Sequence, residues 1–460
     1  MYVSSFLTDV AELSLKMLFS GFVDEHPGGA GAILKCAGQD ATESYDEVHD
    51  RGLVEETLPP ESYLGNVDIS TLPRRQSSED TVEGQDGFPY PPLNAIVSLA
   101  DFEAVAKKYL TSAGWAYYSS GADDEFSISD AFRIFRKMTM RPRVLRPVEP
   151  VSASTTILGC QSSLPVYFSP TGMGKYAHRD AEQIIAAVSG KENLIYCMPT
   201  SAPREAVFKA RSVSDQRLFF QLYTGRNRER TKALIRNVEA LGAAAIFLTV
   251  DTPVLGKRER DDRVRAAAGE DTISPTSGGV AKVSSRGLLN PLLSWDDLGW
   301  IRETTRLALV LKGVQTVEDA VLAYGRGVDG IVLSNHGGRS QDTAQAPILT
   351  LLEIRRHAPH LLSPEVRTKF QVFVDGGVRR GTDVIKAIAL GATAVGIGRP
   401  VLYSMCAGYG DKGLRRLVQI LRTEVETNMA LAGARHVGEL VPEMVNSERA
   451  EKEVSRRVKL

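Results

Sequence analysis

Residues 330–339 read Gly-Ile-Val-Leu-Ser-Asn-His-Gly-Gly-Arg. The apolar run Ile331–Leu333 predicts a buried strand that ends at the polar Ser334. His336 and Arg339 follow on the loop that leaves this strand. An imidazole titrates near neutral pH, and a guanidinium holds a planar carboxylate with two parallel hydrogen bonds. This pair indicates proton abstraction from a small carboxylic acid, but taken alone the stretch fits a surface loop with an ordinary histidine and arginine equally well.

Short apolar runs of the same kind recur along the chain and mostly end on polar or glycine residues. Helix-like segments such as Thr316–Gly325 and Thr382–Leu390 separate most of them. Strict alternation of strand and helix predicts a parallel sheet. Eight such units in about 250 residues predict an α/β fold, the (β/α)8 TIM barrel. The predicted strands are Val166–Phe168, Leu194–Tyr196, Leu218–Phe220, Ala244–Leu248, Leu307–Leu311, Ile331–Leu333, Gln371–Val374 and Ala394–Ile397.

The strand ends carry the candidate site. In a TIM barrel the active site lies at the carboxyl ends of the strands, so polar residues that follow different strands converge on one mouth. A converging set is less expected by chance than any single member. The set is Gln221, Tyr223, Thr249, Asp251, Lys312, His336 and Arg339.

The last two strand ends are rich in glycine and arginine. They read Asp375-Gly-Gly-Val-Arg-Arg-Gly381 and Gly396-Ile-Gly-Arg399. In this fold the loops after strands seven and eight commonly hold a phosphate, which backbone N–H groups and a helix start can approach closely. The alternative is a pair of tight turns with solvated arginines.

From about Ala100 to the C-terminus the chain resembles the FMN-dependent enzymes that oxidise L-2-hydroxy acids. The resemblance rests on several matching segments, which are Tyr117–Ala122, Gln221–Tyr223, Thr249–Pro253, Lys312-Gly313, Ser334–Arg339 and Asp375–Gly381. It implies oxidation of an acid such as L-lactate to the 2-oxo acid by bound FMN, and it also implies a homotetramer.

The resemblance implies roles at the substrate for seven residues. His336 would be the base, and Asp251 would stabilise its protonated form, since a carboxylate raises the pKa of a nearby imidazole. Tyr117 and Arg339 would bind the substrate carboxylate. Tyr223 would hydrogen-bond the substrate hydroxyl group, and Arg258 would add positive charge near the substrate. Lys312 would lie at the edge of the flavin ring.

For the cofactor, the resemblance implies two groups of contacts. Those at the flavin ring would be Pro170, Thr171, Gly172, Ser201 (or its neighbour Thr200), Gln221, Thr249, Lys312 and Ser334. Those at the ribityl chain and phosphate would be Asp375, Gly376, Gly377, Arg379, Gly398 and Arg399.

The chemistry agrees with these roles. A 2-hydroxy acid must lose two electrons and two protons; a flavin takes the electrons, and the protein supplies a base, orientation and charge. His336 would take either the carbon-bound proton or the hydroxyl proton, and the sequence favours neither. Lys312 has a rival role as a Schiff-base nucleophile.

The N-terminal region carries a second signal. His26-Pro27-Gly28-Gly29, followed by His49, resembles the cytochrome b5 module, a small α+β domain in which two histidines ligate haem iron from opposite sides. His26 and His49 would be the ligands of a haem b, which would pass electrons to cytochrome c. A haem-free oxidase that uses oxygen and a non-catalytic flavin-binding barrel stay open as alternatives.

Three features depart from the family pattern. Met1–Ser20 is mostly apolar and helix-capable where the module should have its opening strands, so the module is expected to be truncated. The segment after Met198 is about four residues shorter than the resemblance leads us to expect. Gly172 stands where related enzymes carry alanine. The last two changes touch the wall of the substrate site, so the preferred acid could differ from lactate.

Composition sets the remaining limits. A net charge of −1 provides no bulk attraction for nucleic acid or an anionic membrane.

The expected organisation is a haem module at 1–70, a Pro- and Gly-containing tether at 71–94 and the barrel at 95–460. Met1–Phe19 contains charged residues, so it is no transmembrane span, and it lacks the Arg-rich look of a mitochondrial transit peptide. The resemblance implies the mitochondrial intermembrane space; the cytoplasm is the alternative.

Overall fold

The computed structural model describes residues 90–213, 216–267 and 287–458. Contacts divide the chain into two compact units. One consists of residues 84–259 and 287–460, and the other of residues 1–83 and 260–286. The predicted haem ligands His26 and His49, the haem module and most of the tether lie outside the described residues.

Three helices and a hairpin precede the barrel. The helices are α1 (Leu99–Tyr109), α2 (Ser112–Ser119) and α3 (Phe126–Lys137), after a 3₁₀ turn at Leu93–Ala95; the strands are β1 (Thr139–Met140), β2 (Thr155–Ile157) and β3 (Cys160–Ser162). Strands β2 and β3 pair antiparallel. Ile157 is fully buried in the core of the barrel, and the backbone N–H of Leu158 donates to the side chain of Gln371, so this hairpin covers the amino end of the barrel.

Eight parallel strands form a closed barrel, as the sequence predicts. Each strand pairs with the next along the chain, and the last pairs with the first. The strands are β4 (Val166–Phe168), β5 (Ile195–Met198), β6 (Leu218–Leu222), β7 (Ala243–Thr249), β8 (Ala308–Val314), β9 (Gly330–Leu333), β10 (Gln371–Asp375) and β11 (Ala394–Ile397).

Strands β5, β6 and β8 extend two or three residues past their predicted carboxyl ends, and the other bounds agree to within one residue. Strand β5 continues through Cys197 and Met198, which are fully buried. Strand β8 continues through Lys312 to Val314, and its register with β9 shifts between these two residues. Gly313 occupies the shift with a φ of 113°. A polar residue can therefore end an apolar run without ending the strand.

Helices surround the barrel. They are α4 (Ala181–Lys191), α5 (Arg204–Lys209), α6 (Arg228–Ala240), α8 (Asp297–Thr304), α9 (Val317–Gly325), α10 (Pro347–His357), α11 (Pro364–Arg367), α12 (Gly381–Ala389), α13 (Arg399–Tyr403), α14 (Gly410–Ala432) and α15 (Glu448–Glu451), and β12 (Val445–Asn446) pairs with β1. Helix α7 (Glu259–Ala267) lies between α6 and α8 in the chain and, from Arg260 onward, belongs to the other unit. The predicted helices at 316–325 and 382–390 are α9 and α12. Over the ranges that the structure describes, no helix is long and apolar enough to cross a membrane.

The core has an inner and an outer layer because successive residues of a strand point to opposite faces. Phe219 and Phe247 stack inside the barrel with ring centroids 5.4 Å apart. Phe220 points outward into the layer between strands and helices. Burying one such ring contributes on the order of 2 kcal/mol. The filled barrel holds the strand ends rigidly, which positions the residues of the mouth.

Candidate active site

The imidazole of His336 is held by a buried carboxylate. His336 follows β9 with a φ of 60°, and its Nδ1 lies 2.8 Å from Oδ1 of Asp251. The hydroxyl of Thr252 donates to the same Oδ1 over 2.9 Å. Because an ionised carboxylate only accepts, Nδ1 carries the proton of the neutral ring. Nε2 is thereby left as the basic atom.

The charges around this pair decide its protonation. Burial lowers the pKa of His336, and Lys312 and Arg258 act in the same direction; Asp251 opposes them without reversing the shift. Burial alone would raise the pKa of Asp251, but His336, Lys312 and the hydrogen bond from Thr252 bring it below its ordinary value. At neutral pH the site therefore holds a neutral base beside an ionised carboxylate. The expected influence of Asp251 on the imidazole is present, although it does not set the net direction.

Two guanidinium groups flank one tyrosine at the mouth. The Cζ atoms of Arg339 and Arg258 lie 4.9 Å and 5.9 Å from the ring centroid of Tyr117. Nη1 of Arg339 donates to the carbonyl of Tyr118 over 3.0 Å, while Nε and Nη2 form the other edge of the fork. Such an edge matches a carboxylate, so this corner favours a small organic anion.

Tyr223 adds a polar group to the same wall. Its backbone N–H donates to the hydroxyl of Thr200 over 3.0 Å. Burial, reinforced by the charge of Asp251, raises the pKa of Tyr223 to about 12. The phenol therefore stays protonated at neutral pH and can hydrogen-bond a substrate hydroxyl group.

Lys312 is a buried, permanently charged group. Its Nζ lies 3.3 Å from Oδ2 of Asp375 and donates to the hydroxyl of Ser334 over 3.2 Å. Burial works against its charge, but Asp375 and Asp251 outweigh burial and raise the pKa of Lys312 well above its ordinary range. A lysine that holds its proton this firmly is a poor Schiff-base nucleophile, which favours the electrostatic role.

A hydrogen-bonded network lies at the ends of β5, β6 and β7. Gln221 donates from Nε2 to the hydroxyl of Thr249 over 2.9 Å and accepts from the backbone N–H of Thr200 over 3.1 Å. Thr200 is buried in this network, whereas Ser201 is exposed. A Cβ built on Gly172 would lie 3.1 Å from Oγ of Ser201. Of the two hydroxyl residues named for the flavin ring, Thr200 is the one in the network.

Some buried polar atoms of the mouth fit an FMN ribityl chain. Among the described residues, Oγ1 of Thr171 and Oδ1 of Asp375 find no hydrogen-bond partner. Leaving such atoms unpaired costs about 1–3 kcal/mol each, and hydroxyl groups of a ribityl chain would satisfy them. Gly398 approaches Thr171 so closely that a Cβ there would lie 3.3 Å from Cγ2. Pro170 directly precedes Thr171 in the loop that follows β4.

The loop after β10 provides the phosphate corner. Gly376 and Gly377 have φ values of 85° and 80°, and a Cβ on Gly377 would lie 2.7 Å from the carbonyl of Ala131. The guanidinium of Arg379 lies 4.8 Å from the ring centroid of Phe132. The side chain of Arg399 instead donates to backbone carbonyls. A glycine-rich turn with a nearby arginine suits a phosphate.

The structure thus brings the predicted strand-end residues to one mouth. Sequence reasoning assigned no role to Thr252, although the threonine follows Asp251 directly in the matching segment. Its hydroxyl also lies 3.1 Å from Nδ1 of His336. Its position next to a predicted catalytic carboxylate is the sequence signal that could have identified Thr252.

Comparison with known proteins bears on both parts of the chain. The family described as FMN-dependent dehydrogenase matches residues 106–447. The cytochrome b5-like haem/steroid-binding domain matches residues 19–68.

Two relatives and one solved structure illustrate the similarity. The L-lactate dehydrogenase (cytochrome) of Wickerhamomyces anomalus is 37% identical over 93% of this chain and 75% of its own length. The glycolate oxidase of Spinacia oleracea is 38% identical over 75% of this chain and 94% of its own length. The flavin-binding domain of baker's yeast flavocytochrome b2 superposes with a TM-score of 0.72 at 37% identity, covering 81% of this chain and 91% of that domain.

Proposed function

The chain belongs to the FMN-dependent dehydrogenase family, and on that premise we propose that it oxidises an L-2-hydroxy acid, in the first place L-lactate, to the 2-oxo acid. The observation that carries the proposal is a neutral base, His336, oriented by Asp251 at 2.8 Å, beside an arginine–tyrosine corner suited to a carboxylate. Relatives that are named L-lactate dehydrogenase (cytochrome) support lactate as the acid.

The protein's own groups perform the binding and proton transfer. Arg339 and Tyr117 hold the substrate carboxylate, and Tyr223 holds the hydroxyl group. Nε2 of His336 then accepts a proton from the substrate, from carbon or from oxygen, and Asp251 stabilises the imidazolium. FMN, when bound, accepts the two electrons. Lys312 supplies fixed positive charge where negative charge collects.

Electron transfer beyond the flavin completes the proposal. The match to a cytochrome b5-like domain supports a haem b ligated by His26 and His49, with cytochrome c as the final acceptor. The proposed assembly is a homotetramer, which sedimentation of the purified protein would test. The compartment stays a prediction: the mitochondrial intermembrane space or the cytoplasm.

The first experiment is an absorption spectrum followed by anaerobic addition of L-lactate. Bleaching of the flavin bands, together with a Soret band that shifts to its reduced form, is expected. His26→Ala should remove the Soret band and leave flavin reduction intact. Bleaching without a Soret band in the unmodified protein would refute electron transfer through haem and would indicate a haem-free dehydrogenase or oxidase. Flavin that stays oxidised with lactate, glycolate and mandelate would refute the proposed activity.

A further inference from the structure

Tyr118 is a buried tyrosine next to Tyr117, the tyrosine assigned to the substrate carboxylate. It lies in α2 and is 1% exposed. Its hydroxyl donates to the carbonyl of Met173 over 2.6 Å. Burial raises the pKa of Tyr118 well above its ordinary value, so the hydroxyl stays protonated and remains a donor at neutral pH. The side chain thus ties α2 to the loop that follows β4.

The backbone of Tyr118 holds the carboxylate corner. Its carbonyl accepts from Nη1 of Arg339 over 3.0 Å, which leaves Nε and Nη2 of that guanidinium for a carboxylate. The guanidinium also lies 4.9 Å from the ring centroid of Tyr117. Because one residue carries both the carbonyl and the hydroxyl, the corner is fixed relative to the loop after β4.

That loop contributes a wall of the substrate site at Gly172. A Cβ built on this glycine would lie 3.8 Å from the hydroxyl of Tyr117, so the loop faces the tyrosine across a short gap. We call residues 172–174 the wall loop. Any movement of the wall loop away from α2 would widen the gap between Gly172 and the corner that binds the carboxylate.

The wall loop has a strained residue at its centre. Met173 has a φ of 60°, a left-handed conformation that side chains other than glycine rarely adopt and that persists only where the surroundings hold it. The hydroxyl of Tyr118 holds the carbonyl of this residue. The backbone N–H of Gly174 donates to Oε1 of Glu182 over 3.3 Å. The wall loop is therefore kept in place against the preference of its own backbone.

We propose that Tyr118 is a positioning residue that determines substrate specificity. Through its carbonyl and its hydroxyl it fixes the distance between the carboxylate corner and the wall loop. An acid whose carboxylate is held by Arg339 must fit its side chain beside Gly172, so this distance limits the size of that side chain. The inference rests on the proposed function, because it concerns the width of the same substrate site.

Tyr118→Phe removes the hydroxyl and keeps the carbonyl and the ring, including the edge-on contact with Tyr176 at 6.1 Å between centroids. Without the hydrogen bond the strained wall loop relaxes away from α2, and the site widens. We expect kcat/KM for L-lactate to fall by about three- to tenfold and the ratio of kcat/KM for L-mandelate to that for L-lactate to rise at least about threefold. The Kd of FMN, from fluorescence titration of the apoprotein, should change less than about twofold.

Tyr196→Phe is the matched control. Tyr196 is a fully buried tyrosine of β5, and its hydroxyl finds no hydrogen-bond partner among the described residues. The substitution removes the same atom without removing a hydrogen bond, so the ratio and the Kd of FMN should both stay unchanged. An equal rise of the ratio in both variants would overturn the role of Tyr118, because the loss of any buried hydroxyl would then suffice.

Met173→Gly tests whether the bond acts through the strained backbone. Glycine adopts a φ of 60° at no steric cost, so the wall loop of this variant has no strain to release. Adding Tyr118→Phe to Met173→Gly should therefore raise the ratio by less than about half as much as Tyr118→Phe does alone, a non-additivity that identifies coupled residues. The full rise in both backgrounds would overturn the proposed route through Met173.

The two levels of the proposal fail in different ways. Unmodified protein whose flavin is reduced by no 2-hydroxy acid would refute the proposed function itself. If L-lactate reduces the unmodified protein, an unchanged ratio in Tyr118→Phe would overturn only the role of Tyr118. An absence of reduction by mandelate in both proteins, or an equal fall for both acids with a raised Kd of FMN, would overturn that role as well.

Discussion

Gly313 lies so close to Asp251 that a Cβ built on the glycine would stand 2.4 Å from Cβ of the aspartate. The φ of Gly313, 113°, is one that L side chains rarely adopt. The glycine sits in the register shift of β8, one residue after Lys312. The side chain of Asp251, which orients His336, therefore packs directly against the backbone of Gly313, where a side chain would collide with it.

We expect Gly313→Ala to displace Asp251 and to weaken both stability and turnover. Overpacking of this kind costs about 1–3 kcal/mol in the free energy of unfolding, and urea denaturation of the flavin-loaded protein measures it. The matched control is Gly325→Ala, at the end of α9, where no atom of the described residues lies within 4 Å of a built Cβ. Equal stability of the two variants would contradict the role given to this contact.

The pH dependence of kcat/KM should report the imidazole. Because the pKa of His336 is lowered from its ordinary value of 6.5, the neutral base is present above an inflection that lies below pH 6.5, and activity falls only as the pH drops through it. Asp251→Asn removes the carboxylate that raises this pKa, so the inflection should move lower still. A rise in the inflection of the variant would exclude an electrostatic role for Asp251.

Replacing the base should separate binding from chemistry. His336→Gln is expected to retain FMN but to slow its reduction by about 10²- to 10⁴-fold, the usual contribution of a general base. Anaerobic stopped-flow absorption measures the reduction step directly. His360→Gln, at an exposed position, is the control and should behave as the unmodified enzyme. Rapid reduction of the flavin in the His336 variant would show that His336 is not the base.

Arg339→Lys tests the substrate corner. Lysine keeps the charge but loses the planar fork and the bond to the carbonyl of Tyr118, so kcat/KM should fall by about 10- to 100-fold. Steady-state kinetics with L-lactate over a range of concentrations provides the value. An unchanged kcat/KM would show that the carboxylate is bound elsewhere.

Gly172→Ala tests the width of the substrate wall. A Cβ there would lie 3.1 Å from Oγ of Ser201 and 3.8 Å from the hydroxyl of Tyr117, and Gly172 has no positive φ that demands glycine. We expect the alanine variant to fold normally and to lose activity on acids with bulky side chains more than on L-lactate. The ratio of kcat/KM for L-mandelate and L-lactate measures this effect; an unchanged ratio would place Gly172 outside the substrate wall.

Much of the architecture was predictable from short patterns. Apolar runs that end on polar or glycine residues, such as Ile331–Leu333 before His336, placed all eight strands because a buried parallel strand needs a continuous apolar stretch. The same rule misplaced the carboxyl ends of β5, β6 and β8 by two or three residues. Cys197 and Lys312 remain inside the sheet, because backbone pairing with neighbouring strands continues whatever the side chain.

The sequence alone determined that this chain builds a parallel barrel and which residue types meet at its mouth, since strand periodicity and the direction of the strands follow from local order. Only the tertiary structure decided how those residues act. The packing of Asp251 against Gly313 and the lowered pKa of His336 both depend on distances between segments remote in sequence. Such distances come from the closure of the barrel, which no local pattern encodes.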